Sequence, residues 1–265
     1  VNDPAVLAPR PPDAAGSDRR VAVRARAGAP FVVERLGRTA YRTAWERQRA
    51  LVELHRAVPT TPDTVLLVEH PDVYTLGRRA DHDHVLLDRA ELERRGIEVV
   101  EVDRGGDVTW HGPGQLVVYP ILRLAGTRAV VDHVRALEAV VLDVLAALGV
   151  GGARVAGRSG VWVDGAKVAA VGVRVDAGGV TSHGLALNVD PDLDAFDGIV
   201  PCGIRDAGVT SLARLGLSVS VADVEPLVIA ALERVLDGPA VGPAVGPTTG
   251  HGHREAAAVA AAGFR

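Results

Sequence analysis

Cys202, in Pro201-Cys202-Gly203, is the single cysteine of a 265-residue chain without methionine. One thiol forms no internal disulfide and falls short of a thiolate metal cage, so chemistry at this sulfur is nucleophilic or redox. The competing reading is packing, because free cysteine behaves as a small buried hydrophobe. Lys167 stands just past Asp164-Gly165, at the head of the apolar run 168–173. A neighbouring ammonium favours thiolate over thiol, and the amine left after proton transfer is a base. Away from Cys202, the same lysine is a snorkelling surface residue.

A second block, Arg104, Gly105, Gly106, Asp107, Val108, Thr109, Trp110 and His111, runs into Gly112-Pro113-Gly114-Gln115. Its glycines let the main chain approach a ligand and leave N–H groups free to point at it, so the block predicts a binding loop. It has neither Walker nor dinucleotide spacing. In Ser182-His183-Gly184-Leu185-Ala186-Leu187-Asn188, an imidazole and a glycine interrupt an apolar strand. That pattern marks a bulge or a close ligand approach, although His183 could equally be a satisfied structural histidine. His82 and His84 read as a polar loop, and no metal site is expected.

The remaining chain supplies scaffold. A 48% hydrophobic composition suits one domain with tails, and a formal charge of -4 with 3% aromatic residues disfavours nucleic-acid partners. No apolar run reaches membrane-spanning length and no signal-peptide pattern opens the chain, so a cytoplasmic protein without a membrane partner is expected. Residues 1–29 read as a disordered extension, 30–237 as the catalytic domain, and 238–265 as a low-complexity Gly/Pro/Ala tail.

Within the domain, periodicity predicts a strand at 31–36, then a helix to about Ala57 with Thr39 as N-cap. Strands follow at 65–69, 97–102 and 116–122, with a short helix capped by Asp88 and stopped by Gly96. A long helix at 130–148 ends at Gly149, and Asp164-Gly165 predicts a type I' hairpin between 161–163 and 167–173. Residues 180–189 extend that sheet, and Ser220 with Asp223 caps a last helix in which Pro226 falls in or near the opening turn. The class is α/β in the α+β sense, a mixed β-sheet packed with helices.

The segments Tyr74-Thr75-Leu76-Gly77-Arg78, Arg104 through His-Gly-Pro-Gly-Gln, Gly160-Val161-Trp162-Val163 with Lys167, His183 to Asn188, and Phe196 to Gly203 closely resemble the lipoyl(octanoyl) transferase family. The likeness spans about 31 to 236. Trp110, Val118 and the turn at 176–179 depart from its commonest pattern. The resemblance implies the catalytic fold of biotin and lipoate protein ligases, and octanoyl transfer from octanoyl-acyl carrier protein to a lysine of lipoyl domains. Those domains are carried by 2-oxoacid dehydrogenase E2 subunits and the glycine cleavage H protein.

It further implies Cys202 as acyl-thioester nucleophile, Lys167 as its activator, and no cofactor. The acyl substrate would be lined by 104–111 together with Ala170, Val171, Gly172, Gly184, Leu185 and Ala186. His183 and Arg78 are possible auxiliaries, and oxyanion donors could come from main-chain N–H groups near Gly203 or the glycine loop, or from the rings of His183 or His111. Arg78, Arg79, Arg104, Arg123 and Arg174 are candidates for a basic rim facing acidic partners. The alternatives are an ATP-dependent lipoate or biotin ligase of the same fold, or a non-catalytic carrier-binding or thiol-sensing protein.

Overall fold

The apolar runs become the strands of one twisted sheet, and the computed structural model describes residues 23–126, 129–200 and 208–243. In chain order the elements are β1 (Phe31–Arg38), α1 (Tyr41–Ala57), β2 (Thr64–Glu69), β3 (Val73–Leu76), α2 (Arg89–Arg95), β4 (Glu98–Glu101), β5 (Val108–His111) and β6 (Gln115–Ile121). Then come α3 (Ala129–Ala147), β7 (Ala153–Val155), β8 (Arg158–Val163), β9 (Ala166–Val175), β10 (Thr181–Asn188), α4 (Val221–Val235) and β11 (Ala240–Val241). Among the described residues, eight strands pair in the order β11-β1-β2-β6-β10-β9-β8-β7. A separate small sheet has the order β4-β3-β5.

Among the described strands, β1 pairs parallel with its two neighbours and β3 with β4, and an isolated parallel bridge joins Lys167 to Val209, so the sheet is mixed, as its hairpins predicted. One face packs Leu137, Val141 and Leu145 of α3 and Val228 and Leu232 of α4 against Val161, Ala169, Val171, Leu185 and Leu187. The other receives Ala44, Leu51 and Val52 of α1 over Leu66, Val117, Tyr119 and Ala186. Two helices and one helix thus sandwich the sheet. The small sheet closes its own core from Tyr74, Leu76, Val108, Trp110, Phe196 and Ile199.

Local signals account for several boundaries. The Asp88 carboxylate accepts from the Glu91 N–H at 2.8 Å, and Gly96 at φ 69° ends α2. Asp164 and Gly165 have φ of 47° and 80°, the two positive angles a type I' turn requires. Ser220 and Asp223 form a reciprocal capping box on α4.

Pro226 falls just past the opening turn of α4, near it as expected, and its missing N–H deprives the exposed Ala222 carbonyl, which solvent can serve. Three expectations need correction. Thr39 does not cap α1: the helix starts after Ala40 without a side-chain cap, and the Thr39 hydroxyl donates back to the Leu36 carbonyl at 2.7 Å. Residues 108–111, expected within a loop, form β5. The domain also extends beyond 30–237. Arg24 is 1% exposed, donates to the carbonyls of Leu236, Ala29 and Asp237 and pairs with Asp63, while Ala240–Val241 pairs with Phe31 and Val32. A buried guanidinium with four partners ties both ends of the domain to β1 and β2.

Candidate active site

Strand alternation sends residues i and i+2 to one face, so β9, β10 and β6 jointly build the wall of a cleft. Ala186 pairs with Ala170 and with Val117, and Gly184 pairs with Gly172 one step further along. The α1-facing side of the sheet is therefore hollowed by a block of four small residues, Ala170, Gly172, Gly184 and Ala186. Gly184 tolerates no substitute, because a Cβ there would come within 2.0 Å of the Val118 carbonyl oxygen. The cleft over this block holds about 510 Å³ of empty space, its open mouth included.

Lys167 reaches the same face by a register shift. Val161 pairs with Ala169 but Trp162 with Lys167, leaving Val168 as an extra residue on β9. Val168 joins Ala169 and Val171 in the core under α3, so Lys167 is displaced from that face to the one carrying Ala170 and Gly172. Its Nζ stands 4.8 Å from the Trp162 ring centroid. Its main chain holds the returning polypeptide: the Lys167 N–H donates to Gly208 at 2.9 Å, and its carbonyl accepts from the Thr210 N–H at 2.9 Å. Cys202 and Gly203 lie outside the described residues, between Val200, whose N–H donates to the His84 carbonyl, and Gly208.

The opposite wall comes from residues 104–111, and alternation sorts them. Thr109 and His111 of β5 line the cleft with Arg104, Gly105 and Gly106. Val108 and Trp110 point the other way into the small core, where the Trp110 indole donates to Asp72 at 3.0 Å. Asp107 is structural as well: it accepts from His84 Nδ1 at 2.6 Å and from the Asp81 N–H. These three expected lining residues do not line the cleft. Nor does Arg78, whose side chain is exposed while its N–H donates to the Arg104 carbonyl.

Arg104 is no rim residue either. It is 7% exposed, and its guanidinium donates to the Thr75 carbonyl and hydroxyl and to the Gly105 carbonyl. Arg174 pairs with Asp103 at 2.6 Å, and Arg123 donates to the Gly178 and His55 carbonyls. Of the five arginines proposed for a basic rim, Arg78 and Arg79 are the two exposed ones.

At the end of the cleft away from Lys167 is a polar cluster of which the sequence motifs flagged His183 alone. His183 has φ 59°, a left-handed angle that turns its ring from the α3 side to the α1 side of β10. Its N–H donates to Gln48 Oε1 at 2.8 Å, its Nε2 lies 2.7 Å from Asp103, and its Nδ1 faces the Tyr41 hydroxyl at 3.4 Å. Next to it, His70 donates from Nδ1 to the Thr39 carbonyl and accepts at Nε2 from the Tyr119 hydroxyl, at 2.7 and 2.9 Å. The one hint in the sequence is Gln48, a polar side chain on the largely apolar stripe of α1.

Burial keeps these rings neutral. Desolvation pushes His111 down to about 3 and His70 to about 4; it lowers His183 too, against the opposing pull of the Asp103 carboxylate. Asp103 is held below the usual carboxylate range chiefly by the His183 hydrogen bond. A neutral His183 therefore gives its one N–H to Asp103. His111 gives its own to Gln115 Oε1 at 2.7 Å, with Gln115 donating on to Asn188 and Asn188 to the Thr210 carbonyl. Neither ring retains an N–H for an oxyanion, which leaves main-chain donors.

Burial also lowers His133 to about 4. His70, His111 and His133 stay neutral in the fold but ionise near 6.5 once unfolded, so below that pH the unfolded chain binds more protons and stability falls as pH falls. Denaturant melts at pH 7 and pH 5 should differ by roughly 5 kcal/mol for the three rings together; equal stability at both values would contradict their neutrality.

Residues 40–233 match the model of the lipoyl protein ligase A/B catalytic domain. The chain is 53% identical over 209 residues to an octanoyltransferase of Chloroflexus aurantiacus, covering 77% of this chain and 93% of that one. It is 50% identical over 213 residues to an octanoyltransferase of Mycobacterium leprae, covering 78% and 88%. Among solved structures it resembles lipoate-protein ligase A bound with ATP, with a TM-score of 0.64 at 15% identity over 82% and 88% of the two chains. The bipartite lipoate protein ligase of Thermoplasma acidophilum gives 0.66 at 15% identity over 81% and 87%. At such identity these structures establish the fold alone, and it is the sequence relatives and the matched domain that make this chain a member of the octanoyltransferase family, with the lipoyl protein ligase A/B catalytic fold.

Proposed function

We propose that the protein transfers an octanoyl group from octanoyl-acyl carrier protein to a lysine of lipoyl domains, through a thioester on Cys202 and without a cofactor. The reading rests on one observation above the others: a sheet face reduced to alanine and glycine lines a cleft, and the β9 bulge turns Lys167 onto that same face. Cys202 precedes Gly208 by six positions, and Gly208 is hydrogen-bonded to Lys167. The tether keeps the sulfur within chain reach of the amine. Burying the methylenes of an eight-carbon chain contributes about 0.8 kcal/mol each, close to 5 kcal/mol in all.

The Cys202 thiolate attacks the carrier thioester carbonyl, and the departing carrier thiolate takes a proton from the Lys167 ammonium. Lys167, now neutral, takes a proton from the incoming lysine ammonium. The freed amine attacks the Cys202 thioester, the amide nitrogen releases its second proton to water, and collapse restores thiolate beside ammonium. Exchange between thioesters is nearly thermoneutral and aminolysis runs downhill, so no ATP is consumed. Ionising the thiol raises the thiolate at pH 7 by roughly 30-fold at most, so positioning and oxyanion stabilisation carry more of the acceleration.

Incubation with octanoyl-acyl carrier protein should add one octanoyl mass to Cys202 without ATP, and a lipoyl domain should then remove it. Cys202→Ala should abolish both steps, and Lys167→Met should slow acylation at least tenfold at pH 7 with partial recovery toward pH 9. Labelling that requires ATP would instead favour a ligase, and no transfer under either condition would leave a carrier-binding protein. Reversing charge with Arg78→Glu and Arg79→Glu should raise KM for the carrier several-fold, with the gap narrowing at high salt; unchanged kinetics would remove these residues from the docking surface.

A further inference from the structure

We infer that Tyr41, backed by Tyr119 and His183, is the stop that sets the length of acyl chain the cleft accepts. The inference rests on the acyl-transfer reading of the same cleft. Lys167 and Gly172 are five positions apart on β9, one taken up by the bulge, so the small-residue wall runs about 13 Å along the strand. An extended octanoyl chain advances about 1.25 Å per C–C bond, or about 9 Å from carbonyl to methyl. Beyond Gly172 and Gly184 the cleft meets Tyr41, which is 2% exposed and stacks on His111 with ring centroids 6.0 Å apart and an interplanar angle of 12°.

Apart from Gln48 Nε2, which is buried without a hydrogen-bond partner, the polar atoms named at this end are already committed. Tyr41 faces His183 Nδ1, His183 holds Asp103 and Gln48, and Tyr119 donates to His70, which donates in turn to Thr39. A chain longer by two carbons would have to break at least one of these buried hydrogen bonds, and the loss exceeds what two further methylenes gain once a second group is left unsatisfied. A chain of the fitting length meets only ring faces and edges.

The test compares saturated fatty acids of six to fourteen carbons for binding by calorimetry, alongside transfer from the matching acyl carrier proteins. Tyr41→Ala should raise the dodecanoyl-to-octanoyl ratio at least tenfold in both assays, while Tyr41→Phe, which retains the ring, keeps the wild-type ranking of lengths. Ala170→Val, placed midway along the wall, should shift the optimum to shorter chains and serves if Tyr41→Ala fails to fold. An unchanged length optimum in the folded Tyr41→Ala protein, or in Ala170→Val where the former does not fold, overturns the inference. Absence of transfer with the binding optimum shifting as described would instead count against the transferase reading and leave the stop in place.

Discussion

Neighbouring side chains on a β-strand leave on opposite faces, and this site exists because the rule is broken at two places. The bulge at Val168 carries Lys167 onto the cleft face, and the left-handed backbone of His183 carries its ring there from the other side. Without the first, the lysine would point at the apolar underside of α3; without the second, the cleft would lose its polar end. Between them the rule holds undisturbed over Ala170, Gly172, Gly184 and Ala186, and that regular stretch is what gives an alkyl chain a smooth wall. Irregular ends and a regular middle are therefore one design.

The polar end explains why so many titratable rings lie near an apolar cavity without spoiling it. An unpartnered buried donor or acceptor costs about 1–3 kcal/mol, more than the roughly 0.8 kcal/mol from one buried methylene. The cluster of His70, Tyr119, His183 and Asp103 meets that demand internally, while Gln48 Nε2 is left without a partner, and Asp103, itself paired with Arg174, fixes which His183 nitrogen bears the hydrogen. The His111–Gln115–Asn188–Thr210 chain, which starts from the ring stacked on Tyr41, does the same and ends on the Lys167 carbonyl. Ring orientation on one wall is thereby linked to the strand that carries the amine.

Much of this is readable from residue types. Helix limits follow from Asp88, Gly96, Ser220 and Gly149, the hairpin from Asp164-Gly165, and a binding loop from Gly105 and Gly106; the lining at 170–172 and 184–186 is what the family resemblance implies. What misleads is period. Residues 104–111 read as one loop, whereas two-residue alternation in β5 gives Thr109 and His111 to the cleft and withdraws Val108 and Trp110 into another core. Tyr41, Tyr119, His70 and Asp103 come from four separate elements or loops, and no local pattern announces a cluster whose members lie so far apart along the chain. Arg24 and β11 escape because Gly and Pro around them read as breakers, while their stabilising partners lie at the far end of the sequence.

The two margins of the large sheet bear comparison, because open strand margins invite other polypeptides to add themselves. One margin is β11, two residues long, and the other is β7, three residues long. β11 covers only Phe31 and Val32 of the eight-residue β1, so the margin on that side continues along residues 33–38. Glu34, Arg35 and Arg38 lie along that stretch, so charge rather than shortness guards it against an added foreign strand.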